Sequence, residues 1–284
     1  MTHPVVVGVD DAASTGAAVD WAADEAALRG VRLHLVHAWQ WESPEGPGSL
    51  DAALVRESGE RTLGALVERV KGRHADLHVS SASAEVAPRE ALTGLSADAQ
   101  LLVVGSRGLG GFPGLLTGST SLHVAAHAAC PVVVVPGGGW GTTGGVCAGL
   151  HSREAGDEVL SFAFEAAQRR QLPLRVVQTW SYPLLRMSGS AAPPVYEASH
   201  VEAEEIRLVD SVLAGWREKY PAVPVEADIV RSGAAKRLVS VSETQQLVVV
   251  GRHGNPDGPV RRLGSVSQAV VQHAKCPVAV IPFG

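Results

Sequence analysis

Aromatic residues and cysteines are scarce in this 284-residue chain, and each shortage narrows what it can be. Aromatics make up 5% of the residues against 45% for the apolar set as a whole, so Val, Ala and Leu must build the core. Such a core suits parallel strands buried under helices. Three cysteines, Cys130, Cys147 and Cys276, are odd in number and far apart, without the CxxC or CxxH spacing of zinc or redox sites. A reducing cytoplasm is the expected location. No run of 18 apolar residues occurs, and the apolar stretch in MTHPVVVGVD is too short for a signal sequence, so no membrane partner is expected. An excess of positive charge is missing too. Against 29 Asp and Glu stand 24 Lys and Arg, a formal charge of −5, so no global field favours nucleic acid. Catalytic signatures are also lacking: there is no GxSxG, no HExxH and no acid placed by motif to activate water, and the chain is not expected to be an enzyme.

What the chain does have is a repeat. LLVVGSRGLGGFPGLLTGSTSLHVAAHAACPVVVVP at 101–136 aligns without a gap to LVVVGRHGNPDGPVRRLGSVSQAVVQHAKCPVAVIP at 247–282, with 17 of 36 positions identical at an offset of 146. Upstream the offset is 141: VVVGVDDAAST at 5–15 pairs with VCAGLHSREAG at 146–156, and LVHAW at 35–39 with VVQTW at 176–180. The second copy therefore gains five residues in its middle (146 − 141). Two domains are expected, 1–139 and 140–284. Between them PGGGWGTTGG, at 136–145, is too glycine-dense for regular structure and reads as a flexible joint.

Within copy one the pattern alternates. Strands are expected at 5–9, 31–38, 77–81, 101–104 and 132–135, with helices between them. Ser14 is a candidate cap for the first helix; Leu63, Leu66 and Val70 stripe the second; Pro88 opens the third. In copy two Val209, Leu213 and Trp216 form the corresponding stripe. Alternation at this spacing means βαβ units and a doubly wound α/β fold, with helices on both faces of a parallel sheet. In that class ligands sit beyond the carboxyl ends of the strands, where strand order reverses.

The glycines fall at that edge. Gly105-x2-Gly108-x9-Gly118-Ser119 in copy one and Gly251-x2-Gly254-x9-Gly264-Ser265 in copy two each begin just after a buried apolar run. Glycine there turns the backbone sharply, exposes N–H groups and admits a ligand where a Cβ would collide. Ser119 and Ser265 stand before the next helix, whose free N–H groups and dipole favour phosphate. Strand-to-helix loops often hold glycine for structural reasons alone, but two matches in register favour a phosphate cradle. Neither segment is a Walker A loop, since no Lys follows the last glycine, and neither has the Rossmann spacing.

This signature, G-2x-G-9x-G-(S/T), together with VGVDDAAST after the first strand and the ending CPVVVVP, resembles the ATP-binding branch of the universal stress protein family. The resemblance spans nearly the whole chain. It implies a five-stranded parallel sheet in each of two tandem domains, of the adenine nucleotide alpha hydrolase-like type, with ATP across the carboxyl ends of strands one and four and Mg2+ as an optional companion. By the same carry-over Asp10 faces adenine or ribose, Gly8 allows close approach, and the loop from Gly105 through Ser106, Arg107 and Gly108 to Gly111 wraps ribose and phosphates. Gly118, Ser119 and Thr120 hold phosphate oxygens. The matching positions in copy two are Gly251, Arg252, Gly254, Gly264, Ser265 and Val266. Copy two departs from the pattern at His151, which stands where copy one has Asp10. Its loop also carries Asn255, Pro256 and Asp257, with Arg261 and Arg262 nearby, so weaker or different binding is expected there. The implied role is a stress-response regulator. A non-binding interaction scaffold and a slow ATPase using the same crevice are the alternatives.

Other residues have two readings each. His127 and His273, each three residues before a cysteine, fit a helix C-terminus better than a metal pair. Cys130 and Cys276, each before a proline, read as buried thiols rather than redox sensors. Asp10 with Asp11, and Asp20, Asp24 and Glu25, suggest a carboxylate pair or a magnesium site; for Asp20 to Glu25 a solvated helix face is the expected reading. Trp39, Trp41 and Trp180 lie near the expected adenine pocket, where stacking and loop packing remain alternatives. The apolar last strands, at 132–135 and 278–281, are candidates for edge-to-edge pairing, making the two copies an internal pseudo-dimer. A homodimer is a further candidate assembly.

Overall fold

The computed structural model describes residues 2–10, 12–40, 50–106, 117–141, 143–150, 157–180, 195–252 and 263–283. Its first half runs β1 (Val5–Val9), α1 (Ala12–Arg29), β2 (Leu33–Trp39), α2 (Leu50–Arg73), β3 (Val79–Glu85), α3 (Pro88–Leu95), a 3-10 turn at Ser96–Asp98, β4 (Leu101–Gly105), α4 (Ser119–His127) and β5 (Val132–Val135). The second half repeats it: β6 (Val146–Leu150), α5 (Asp157–Arg170), β7 (Leu174–Trp180), α6 (Val195–Lys219), β8 (Val225–Arg231), α7 (Ala234–Ser242), β9 (Leu247–Gly251), α8 (Ser265–His273) and β10 (Val278–Ile281).

All ten strands form one sheet, in the order β3-β2-β1-β4-β5-β10-β9-β6-β7-β8. Each half is parallel within itself. The halves join through β5 and β10, which run antiparallel with Val134 opposite Val278, Val133 opposite Ala279 and Val132 opposite Val280. Every residue of these two short strands is buried. The apolar last strands thus pair edge to edge, leaving β3 and β8 as the outer edges.

The two faces of the sheet carry different helices. Side chains of α1, α2, α5 and α6 pack with Val5, Val7, Leu33, Leu101 and their counterparts on one face. On the other, α3, α4, α7 and α8 cover Val6, Val36, Leu102 and Val104. The stripe Leu63, Leu66 and Val70 is buried, as are Val209 and Leu213, because helical spacing aligns them toward the sheet.

Three local expectations are corrected, and one gains a detail. Strand β3 runs Val79–Glu85, later than 77–81, because its pairing with β2 through Trp39–Glu85 sets the register. Ser14 lies inside α1; it is Thr15 whose hydroxyl oxygen accepts the Asp10 N–H at 3.2 Å. The glycine-rich joint is docked at its far end. Gly145 C=O accepts the Gln246 N–H at 2.9 Å, and a Cβ on Gly144 would fall 1.6 Å from Thr244 O, so only glycine lets the backbones approach this closely.

The third correction is Glu25, which belongs to no solvated face. It is 1% exposed, and its carboxylate lies between Arg29, 2.5 Å away, and Arg170 of the second half. Arg170 also stacks over Trp21 at 5.5 Å and Arg29 over Phe162 at 5.4 Å, each reaching across to the other half's ring. Burial alone would raise the Glu25 pKa, but the charges of Arg170 and Arg29 together hold its carboxyl below the usual value. Asp20 and Asp24 face α2 instead, pairing with Arg69 at 2.6 Å and with Arg73 and His74 at 3.2 and 2.7 Å.

Candidate functional site

In the first half β1 lies between β2 and β4, so the chain leaves β1 in one direction and enters β4 on the other side. The carboxyl ends of β1 and β4 consequently flank the point where strand order reverses. Their register pairs Val7 with Val103, which brings Gly8 and Asp10 to the same end as Gly105 and Ser106. Asp10 is exposed at this end.

The loop that leaves β4 is drawn back to its own start. Ser106 N–H donates to Val135 O and Gly118 N–H donates to Ser106 O, each at 2.7 Å, so the end of β4 and the start of α4 meet. Ser121, in the first turn of α4, donates its hydroxyl to Gly105 O at 2.6 Å and pins the helix start to the strand end. Gly118 is the N-cap, with extended φ −68 and ψ 151 and no side chain to cap the helix. The first N–H groups of α4 have no partner within the helix, and Ser119 beside them is exposed. The structure therefore brings Gly8, Asp10, Gly105, Ser106, Gly118, Ser119 and Thr120 to one edge of the sheet. Arg107, Gly108 and Gly111 lie outside the described residues.

Gly8 faces α3. A Cβ there would come 2.8 Å from Leu92 Cδ1 of α3, and at Gly149 of β6 one would come 3.0 Å from Leu238 Cδ1 of α7. Helix packing accounts for both glycines.

The second half repeats the scaffold. Ser267 donates to Gly251 O at 2.6 Å, Arg252 N–H donates to Ile281 O at 2.8 Å, and Gly264 caps α8 with φ −60 and ψ 153. Ser265 is exposed and Val266 partly so. The furnishing differs. Phe283 packs against Gly251, its Cζ only 2.1 Å from where a Cβ would stand. The Arg252 guanidinium donates to Ala128 O, beyond the end of α4 in the first half, at 2.5 Å. His151, Gly254 to Asp257, Arg261 and Arg262 lie outside the described residues, as do Asp11 and Trp41.

The remaining candidates resolve into packing. Trp39 is buried, and its indole N–H donates to Ser83 Oγ of β3 at 3.2 Å; Trp180 is buried at the equivalent place. His127 bonds His123 O through Nδ1 at 2.8 Å, and the two rings stack at 4.1 Å. All three thiols are buried, which pushes Cys130 up to about 11, Cys276 up to about 12 and Cys147 higher still. Among the described residues no group of three or more His, Cys, Asp or Glu is placed to hold a metal ion. None of their helices is long and apolar enough to cross a membrane.

One residue near the site escaped the sequence reading. His37, on β2 beside Val9, is 9% exposed, and its buried Nδ1 has no hydrogen-bond partner among the described residues. Burial lowers its pKa, and the Asp10 charge opposes that shift, which shows how near the two groups lie. The signal was the one change from imidazole to amide between LVHAW and VVQTW, where Gln178 replaces it.

Comparison with known proteins decides the family. The sequence model of the universal stress protein family matches residues 1–136 and again 146–282. This chain belongs to the universal stress protein family. A universal stress protein of Mycobacterium tuberculosis is 33% identical over 97% of this chain and 95% of its own length. Another, from Mycolicibacterium smegmatis, is 33% identical over 98% and 97%. Among solved structures, a universal stress protein from Archaeoglobus fulgidus shares the fold, with a TM-score of 0.73 at 15% identity, covering 99% of this chain and 97% of that one. Both halves of the chain are thus universal stress protein domains, fused in tandem.

Proposed function

We propose that the first half binds an adenine nucleotide, ATP, across the carboxyl ends of β1 and β4, and that the protein acts through this occupancy as a stress-response regulator in the cytoplasm. The observation that carries the reading is the contact between Ser106 and Gly118, which holds the end of β4 against the open start of α4 at the same sheet edge as Asp10. Phosphate oxygens would take the Ser119 and Thr120 N–H groups and the Ser119 hydroxyl, favoured by the helix dipole. Asp10, exposed at the end of β1, would accept from base or ribose. Mg2+, where present, would arrive with the phosphates and keep most of its waters rather than sit in a protein cage.

Catalysis is not part of this proposal. A nucleotide held by backbone donors needs no base, and a regulator needs only a loop that differs between bound and free states.

Extraction of the nucleotide carried by the purified protein, followed by calorimetric titration of ATP, tests the reading. Wild type is expected to bind ATP, Gly108→Val to lose at least a hundredfold in affinity, and Gly254→Val to change it less than threefold. A wild type that binds no adenine nucleotide would leave the continuous sheet through β5 and β10 as the protein's purpose, an interaction scaffold. Steady ADP release that Asp10→Ala abolishes would make it a slow ATPase instead.

A further inference from the structure

The two copies differ at the place where the glycine signature does its work. The first glycine of the signature ends its strand and has no side chain of its own to fill the volume beside it. In the second half that volume is filled from elsewhere. Ile281 of β10 pairs with Gly251 of β9, and two residues farther along, Phe283 turns its ring over that glycine. Its Cζ, Cε2 and Cε1 lie 2.1, 2.9 and 3.1 Å from the position a Cβ on Gly251 would take. The ring also packs against the core cluster shared by α5, α6 and β9, which holds it there.

The equivalent residue of the first half has no side chain to put in this position. Val135 of β5 pairs with Gly105 of β4, as Ile281 does with Gly251, so the residue two farther along is Gly137. Beside Gly137 a Cβ would meet nothing within 4 Å. A second difference acts the same way: Arg252, the residue after Gly251, spends a guanidinium N–H on Ala128 O of the first half. Its counterpart in the first half is Ser106.

We infer that Phe283 closes the second crevice, so that the chain holds one nucleotide, in the first half, and uses the second as a fixed partner. The inference rests on the nucleotide reading above and specifies its stoichiometry. The ring is the specificity-determining element: it occupies the strand-end volume that a ribose or phosphate would need, whatever occupies position 151.

The test is titration of the full chain with ATP, together with photolabelling by an azido-adenosine triphosphate and mapping of the labelled peptides. Wild type is expected to bind one equivalent and to carry label in the first half alone. Phe283→Gly, which copies Gly137, is expected to bind two equivalents and label both halves, alone or combined with His151→Asp. If the glycine variant does not melt cooperatively, Phe283→Val retains an apolar contact while withdrawing the ring, and carries the same expectation. Two equivalents in wild type would overturn the inference while leaving the nucleotide reading intact. So would one equivalent in every Phe283 variant, or two in His151→Asp with Phe283 in place. Binding to none of these proteins would overturn both.

Discussion

At Ser121 and Ser267 the two halves of the sheet behave as one design used twice. Each serine bonds the carbonyl of the glycine ending the neighbouring strand, at 2.6 Å in both. At the strand end itself the likeness stops: Gly251 lies under Phe283, and the residue equivalent to Phe283 in the first half is Gly137. A duplicated domain can therefore keep its backbone machinery and still lose symmetry through a single side chain. Backbone hydrogen bonds tolerate most substitutions around them, whereas a cleft shaped by the absence of a Cβ is closed by any ring that reaches it.

The same division runs through the helices. In the first half α1 and α2 meet through charge, Asp20 and Asp24 against Arg69, Arg73 and His74. In the second, Phe164 of α5 stacks with Trp216 of α6 and with Tyr220 just beyond it, centroids 5.5 and 5.3 Å apart. Where the halves touch, Arg29 and Arg170 are counterparts, and so are Trp21 and Phe162, but the acid between the arginines has no twin: Ala166 stands where a second Glu25 would be. One carboxylate serves both guanidiniums.

Breaking that shared contact should have the largest effect. Glu25→Ala leaves two guanidiniums facing each other with no counter-charge, and is expected to cost about 3 to 5 kcal/mol in denaturant unfolding, with the halves no longer melting together. The acid dependence follows from the lowered Glu25 pKa. A carboxyl depressed in the folded state contributes stability that is complete above its ordinary value near 4.5 and is lost as pH falls through the lower folded value. Glu25→Gln should show a shallower loss of stability across that window, and an unchanged slope would remove Glu25 from the account of acid unfolding.

The matched serines sharpen the comparison at a smaller scale. Ser121→Ala and Ser267→Ala should each cost about 1 kcal/mol, and by nearly equal amounts, if the two strand ends are equivalent scaffolds. A marked inequality in thermal melts would show that the asymmetry reaches below the crevice. Least is expected from Arg69→Ala. Its pair with Asp20 is half exposed and confined to the first half, so the loss should stay below about 1 kcal/mol and shrink further in added salt.

Much of this fold was legible because it was written twice. Val132–Val135 reads as a strand from its apolar run, and its pairing with Val278–Ile281 was open to expectation because both copies end on the same bare edge. The signature located Gly105, Gly118 and Ser119 at the strand end before any coordinates, since glycine spacing is a local property of one loop. Glu25 was misread for the opposite reason. With Asp20 and Asp24 on the same helix, nothing nearby in sequence says that Arg170 will arrive beside it from the other half. In the joint at 136–145, likewise, nothing along the chain signals that Gly144 is glycine because Thr244 O approaches it.

The sequence by itself determined the family, the α/β class, the duplication and where in each copy the glycine signature falls, all of which depend on periodicity and spacing along the chain. Tertiary structure alone decided that the halves share one ten-stranded sheet, that a single buried acid joins them, and that Phe283 lies on Gly251. The physical reason is the same in each case. Hydrogen-bonding pattern and turn chemistry are encoded by neighbours in the chain, whereas burial, charge pairing and the filling of an empty volume depend on residues that only folding brings together.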